Sequence, residues 1–310
     1  MAKEPKGIVT CASVDNVDRR ILFGEKDGSV ELFHILKDNS LSLALSGQLC
    51  FGPVLSLEWM DIPYGPCFLC GGFDGILKLV RPTQKFDSFN SLAQIDLHSA
   101  IFSISTFCSA TITLIACGLS NGKVVILSLT PPGSESSMSG LSLSLTHEAT
   151  YLDSTDVHLG GCSAVSFERI TNVFNENDKL IYPRLVSCGL DGSIFVHILK
   201  RANIPEGFTI SVESIVQEPN GREIRDVKWR KERNEFTTIG EQCIVWKETE
   251  GKKMVGTSLD IEGEGQTVSY FNCDTLLALS SGMKSIRLLI EDGDTWIPCP
   301  DQAIPSDLEA

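Results

Sequence analysis

What the chain lacks narrows it first. No run of 18 or more apolar residues occurs in its 310 residues, so no membrane-spanning helix is expected. The opening Met1-Ala2-Lys3-Glu4-Pro5-Lys6 has none of the apolar character of a secretory signal, which points to an intracellular setting. Positive charge is scarce: 26 Lys and Arg against 40 Asp and Glu give a formal net charge of −14, and a surface of that sign repels phosphates. Nucleic acid and anionic bilayers are therefore disfavoured partners. The one basic concentration, Arg222, Arg225, Lys228, Arg230, Lys231 and Arg233, is interleaved with Glu223, Asp226, Glu232 and Glu235 and reads as a solvated mixed-charge surface.

Sequence signs of catalysis are missing too. There is no G-x-x-x-x-G-K-[ST] and no D-x-D-x-D-G, which removes the usual phosphate loop and calcium loop. Cys67 and Cys70 form the one C-x-x-C. On a strand, residues three apart point to opposite faces, so their thiols are not expected to converge on a metal. The eleven cysteines are odd in number and sit in apolar runs, as small hydrophobes of a reducing compartment do. No catalytic, cofactor or metal residue is assigned. Of the five histidines, His34 and His197 are read as equivalent repeat positions near the ends of strands, and His147 and His158 as exposed residues of a polar insertion.

What the chain does have is a repeat. Cys67 to Pro82 reads as strand, turn at Asp74-Gly75, strand, and the same pattern occupies Ile21 to Leu36, Leu114 to Leu129 and Leu185 to Leu199. The turn dipeptides Asp27-Gly28, Asp74-Gly75 and Asn121-Gly122 stand 47 residues apart, from 27 to 74 and from 74 to 121. The next, Asp191-Gly192, is displaced by a serine-rich polar loop insertion at 130–160 and by a polar stretch at 172–180. Two further units place Glu241-Gln242 and Met283-Lys284 at the turn. Each unit resolves into four short strands; in the second these are 53–59, 66–72, 76–80 and 91–97. Asp27, Asp74 and Asp191 are expected to cap their hairpins. An all-β fold of four-stranded units follows, with six units recognisable and 301–310 as a flexible tail.

With the period, the Asp-Gly turns and the segment Leu97-His98-Ser99-Ala100-Ile101 in hand, the chain resembles the WD-repeat β-propellers. The resemblance implies a single propeller over 1–310, of six or seven blades, with His98 as the structural hydrogen-bonding histidine of the repeat. The Trp-Asp dipeptide of that family is missing: Phe33-His34, Val80-Arg81, Val196-His197 and Trp246-Lys247 stand in its place. Arg81 therefore only loosely matches the arginine by which substrate receptors of cullin ubiquitin ligases contact their adaptor.

The first unit starts with its own innermost strand, 7–14, and the last ends with its own outermost strand, 295–300. No strand is left over to close a ring, and an edge stays open to a strand or blade of a partner subunit. In this the chain is similar to the small scaffold propellers of vesicle coats and of the nuclear-pore outer ring. That similarity implies a non-catalytic interaction scaffold in a larger assembly, at the nucleus or nuclear envelope rather than the cytoplasm. The rival expectations are a cullin-type substrate receptor and a small propeller hydrolase.

Overall fold

The computed structural model describes residues 5–15, 18–60, 66–109, 113–130, 142–149, 158–168, 183–201, 208–217, 221–230, 233–250, 253–261, 263–271, 276–281, 285–293 and 295–299. They form six four-stranded antiparallel sheets, numbered here in chain order, and no helix. Sheet 1 holds β1 (Val9–Asp15), β2 (Arg20–Glu25), β3 (Ser29–Ile35) and β4 (Leu41–Gln48). Sheet 2 holds β5 (Val54–Met60), β6 (Cys67–Gly72), β7 (Ile76–Pro82) and β8 (Phe89–Asp96). Sheet 3 holds β9 (Ile101–Cys108), β10 (Thr113–Leu119), β11 (Val124–Thr130) and β12 (Ser142–Ala149). Sheet 4 holds β13 (Cys162–Phe167), β14 (Leu185–Gly189), β15 (Ser193–Arg201) and β16 (Phe208–Gln217). Sheet 5 holds β17 (Ile224–Trp229), β18 (Glu235–Gly240), β19 (Cys243–Glu248) and β20 (Met254–Leu259). Sheet 6 holds β21 (Gly265–Phe271), β22 (Leu276–Ser281), β23 (Ser285–Asp292) and β24 (Thr295–Pro298).

The four-strand unit expected from the repeat is therefore present six times, each sheet a meander of neighbours in sequence. β7 runs on through Arg81 to Pro82, beyond the expected end at Val80, because a terminal proline needs no ladder donor and Pro82 still pairs with Phe89. β12 lies inside the span read as a polar insertion and supplies the fourth strand of sheet 3. Of that insertion, 131–141 and 150–157 lie outside the described residues, as do the polar stretch 172–180, Met283-Lys284 and the tail 301–310.

The core is divided into five layers, one between each pair of consecutive sheets. Leu22, Val30 and Leu32 meet Leu57, Phe68 and Val80 between sheets 1 and 2, and Leu69, Leu77 and Leu79 meet Ile115, Cys117 and Leu127 between sheets 2 and 3. Phe107 and Leu114 face Val165 and Leu185, Val186 and Val196 face Val227 and Phe236, and Ile239 and Cys243 face Val268 and Leu277. Inner sheets bury both faces, so β6, β14 and β18 are buried along their whole length, and β6 and β14 read as continuous apolar or small-residue runs instead of alternating ones. Among the described residues no sixth layer joins sheet 6 to sheet 1.

Polar latches accompany the five layers. In each, a side chain of one first strand accepts the backbone N–H of the next first strand. Ser13 Oγ takes Trp59 N at 3.2 Å, Ser56 takes Ile104 N at 2.9 Å, and Ser103 and Ser105 take Val165 N and Phe167 N at 3.1 and 3.0 Å. Ser166 takes Trp229 N at 2.9 Å and Asp226 Oδ2 takes Val268 N at 3.0 Å. These bonds hold β1, β5, β9, β13, β17 and β21 side by side and running the same way, so corresponding ends of all six sheets coincide. They also satisfy inward backbone groups that a first strand cannot pair within its own sheet.

The two ends of the series differ from its middle. β1 and β21 make no contact of the extent that joins every other pair of neighbouring first strands. β1 is also the most exposed first strand, with Val9 at 40% and Val14 at 46%. The far face of sheet 1 is partly covered by the chain's own beginning, where Gly7 N donates to Glu25 and Lys6 N to Glu31 at 3.0 and 3.3 Å.

Candidate functional site

The turns that mark the repeat gather at one end of the sheets, and three of the four do two jobs. The side chains of Asp27, Asp74, Asn121 and Asp191 accept the N–H two residues on, from Ser29, Ile76, Lys123 and Ser193, at 2.9 to 3.2 Å. Gly28, Gly75, Gly122 and Gly192 follow with φ of 94°, 76°, 86° and 75°, a region a side chain disfavours. The glycine is needed for space as well. A Cβ on Gly28 would lie 2.2 Å from Cys50 O, one on Gly75 2.9 Å from Ser99 N, and one on Gly192 2.7 Å from Arg222 O. In all three the obstacle is the segment leading into the next sheet, so the turn seats one sheet on its neighbour.

Two of the aspartates also grip their own sheet. Asp74 Oδ2 accepts Phe51 N at 2.9 Å, ahead of β5, and Asp191 Oδ2 accepts Leu159 N at 2.7 Å, ahead of β13. Burial works against the Asp191 carboxylate, yet the adjacent His158 ring and hydrogen bonds from the Ser193 hydroxyl and from the Leu159 and Ser193 amides hold it well below the usual carboxylate range.

Behind Asp191 runs a buried polar chain. His197 Nε2 lies 2.8 Å from Ser187 Oγ, Ser187 Oγ lies 2.8 Å from His158 Nε2, and His158 Nδ1 lies 2.8 Å from Ser193 Oγ. Ser193 Oγ ends the chain by donating to Asp191 Oδ1 at 2.6 Å. One assignment of protons satisfies every member with both imidazoles neutral. His197 Nε2–H donates to Ser187, Ser187 O–H to His158 Nε2, His158 Nδ1–H to Ser193, and Ser193 O–H to the carboxylate. Burial pushes the His197 pKa down to about 3, which keeps that ring neutral. Ser, His and Asp are the residue types of an acyl-transfer triad, but Ser187 is 0% exposed, so no substrate reaches its oxygen.

Three sequence expectations change here. His158 is 2% exposed, a member of the buried chain, not a solvated loop residue. His98 stands at the surface instead, its side chain 85% exposed and beside Asp96 at 3.2 Å, with a positive φ of 57° that turns it off the line of the following strand. His34 and His197 are not equivalent: His34 follows Gly28 by six positions and His197 follows Gly192 by five. On a strand that single step reverses the face, which is why His197 is buried and His34 is half-buried against Phe86. The His147 side chain lies outside the described residues.

At the opposite end of the sheets, arginines clasp neighbours together. The Arg20 guanidinium lies 4.9 Å from the Trp59 ring centre, that of Arg184 5.0 Å from Trp229, and that of Arg230 4.9 Å from Trp296, each time across a sheet junction. Carboxylates complete each clasp. Arg20 binds Asp15 at 2.5 Å, Arg184 forks onto Glu168 at 3.0 and 3.1 Å and reaches Glu248 at 2.9 Å, and Arg230 joins Glu235 and Glu291 at 3.0 and 2.5 Å. The cluster read as a solvated surface is thus partly structural: Arg230 is 1% exposed, while Arg222 and Arg225 pair at the surface with Glu241, Glu223 and Glu264. Guanidinium, ring and carboxylate together form a contact that lysine would not reproduce.

Cys67 and Cys70 lie in different layers, Cys67 against sheet 3 and Cys70 against sheet 1, as the alternation of a strand requires. Cys70 Sγ is 3.5 Å from Cys50 Sγ. Burial holds the Cys67 thiol above its ordinary range, and the Cys50 contact together with burial does the same for Cys70. Arg81 Nε points at Cys67 Sγ, 3.4 Å away, so this guanidinium is turned into the protein.

No family model and no curated protein sequence matches the chain. The residues that sequence reasoning missed, His158 and the three arginine clasps, carried one faint local signal. His158 and Gly160-Gly161 stand just ahead of a first strand, and Trp59 and Trp229 both lie within the last two positions of one.

Proposed function

We propose that the six sheets are the blades of a single β-propeller and that the protein is a non-catalytic scaffold subunit of a larger assembly, of the coat-like or nuclear-pore-like kind. The observation that carries this reading is the difference between the five junctions and the missing sixth. Five carry an apolar layer and a latch, whereas β1 meets β21 with neither among the described residues and exposes Val9 and Val14. An innermost strand exposed in this way is an unfinished interface, and a strand or blade of a partner subunit would complete it. The five finished junctions supply the rigidity a scaffold needs, since each is sealed by packing, by backbone latches and, at three of them, by an arginine clasp.

The test is purification of the tagged full chain from cells at raised salt. Stoichiometric co-purifying subunits whose removal lowers the melting temperature support the reading. A monomer with the same melting temperature alone and from cells overturns it, and recovery of cullin adaptors alone would replace it with the ligase-receptor function.

A further inference from the structure

The latches between sheets obey a rule of register. Every first strand is irregular at its second residue, which gives all six a common count. By that count the accepting side chain is the third residue, as Ser56, Ser103 and Asp226 are, or the fifth, as Ser13, Ser105 and Ser166 are. The latched amide of the following sheet is the fourth, as in Ile104, Val165 and Val268, or the sixth, as in Trp59, Phe167 and Trp229. Third takes fourth, and fifth takes sixth.

This rule leaves two halves over. β21 ends the series with hydroxyls at both accepting places, Thr267 third and Ser269 fifth, and β1 begins it with Ala12 fourth and Val14 sixth. Thr267 Oγ1 gives its proton to Asp226 at 2.6 Å, so its lone pairs remain for an amide. Among the described residues no hydrogen bond joins either hydroxyl to β1. Half a latch therefore stands at each end of the series, and each half has the chemistry the other requires.

The faces behind these strands match as well. On sheet 6, Leu289 points into the layer shared with sheet 5, so Ile286, Leu288 and Ile290 point away from it, and Ile286 is 53% exposed. On sheet 1, Leu22 and Leu32 point at sheet 2, so Ile21, Phe23 and Phe33 point away, with Phe23 edge-on to Phe33 at 5.5 Å. Both faces offer apolar side chains of the kind that fill the five existing layers.

We infer that sheet 6 is the complement of sheet 1: without a partner the chain closes its own ring there, Ser269 taking Val14 N and Thr267 taking Ala12 N. A partner entering at that edge then competes with the chain's own sheet. The inference rests on reading the six sheets as blades of one propeller. A tethered sheet is favoured over a second copy because its effective concentration is high at any dilution. The closing junction is also the weakest of the six. Trp59, Trp229 and Tyr270 hold the sixth place in their strands, each beside an arginine of the preceding sheet, whereas β1 has Val14 there. Closure thus has latches and an apolar layer but no clasp, which is what allows a partner to displace it.

The experiment oxidises two variants of the purified, dilute full chain, V14C/S269C and the mismatched V14C/S105C, and maps the disulfides by mass spectrometry. The expected result is a link between positions 14 and 269 within one chain, formed roughly tenfold faster than one between 14 and 105. A readout without new cysteines accompanies it. Ser269→Ala should lower the melting temperature by about 2 °C, the loss of one latch, whereas in an open ring that hydroxyl serves nothing. A link no faster than the mismatched one, a link between two copies, or an unchanged melting temperature in Ser269→Ala overturns the inference. Each of those results leaves the scaffold reading to its own test, which is made on the chain purified from cells.

Discussion

The two ends of the sheets solve opposite problems with the same residue types. At the clasp end, aspartates and glutamates meet arginines that lie over tryptophans of the next sheet, and the charges are spent inside the protein. At the turn end, Asp74 and Asp191 grip backbone amides and a hydroxyl, and apolar side chains are left in water. A carboxylate paired with a buried cation joins sheets; one that grips a main-chain N–H shapes a loop and keeps its charge. Stability should therefore be concentrated at the first end.

Substitutions can break that division, and the largest effect is expected at the clasp. Arg230→Met takes the buried guanidinium from Glu235 and Glu291, leaving them only the more exposed Lys247 and Arg233, and should cost about 3 kcal/mol, read from urea unfolding. A loss under about 1 kcal/mol would mean the clasp is solvated and the contrast false. Next is the buried chain behind the turn. His158→Ala removes one of the two bonds of each of Ser187 and Ser193, which keep only His197 and Asp191, and leaves a buried gap; it should cost about 2 kcal/mol.

Acid provides a third probe. His197 is held at about 3 in the folded chain against 6.5 in the unfolded one, so the unfolded state takes up the proton first as pH falls. The stability it contributes is complete above pH 6.5 and is lost at up to about 1.4 kcal/mol per unit on the way down to 3. Urea midpoints at about pH 6.5 and 4.5 should converge less steeply in His197→Gln than in the native chain; identical slopes would remove His197 from the account. The smallest effect belongs to the turn end, where Phe51→Ser with Phe73→Ser should change stability by no more than about 0.5 kcal/mol. A larger loss would show that these rings pack as well as protrude.

Much of the architecture was legible because it is local. A turn made of Asp and Gly needs only neighbouring residues, and Asp27-Gly28, Asp74-Gly75, Asn121-Gly122 and Asp191-Gly192 all adopt the left-handed glycine and the side-chain-capped turn their order implies. Strand count follows from alternation and spacing, and β6 and β7 match the reading of Cys67 to Pro82 closely. The fates of Cys67 and Cys70 were legible for the same reason, since three steps along a strand fix opposite faces.

The partners of buried polar groups were not legible. His158 bonds to serines 29 and 35 residues away, partners that its place ahead of a first strand, shared with the solvent-exposed His98, does not reveal. Arg184 and Trp229 meet across a junction between sheets, as do Arg20 and Trp59, and only side-by-side packing of first strands brings them together.

By itself, then, the order of residues determined the repeating four-stranded unit, its turns and the facing of each strand, because turn geometry and alternation act over a few residues. Tertiary structure alone decided which histidine is buried, which arginines hold sheets together, and which apolar side chains are left outward at the turn end. Those outcomes depend on the stacking of one sheet on the next, where desolvation selects partners from segments tens of residues apart.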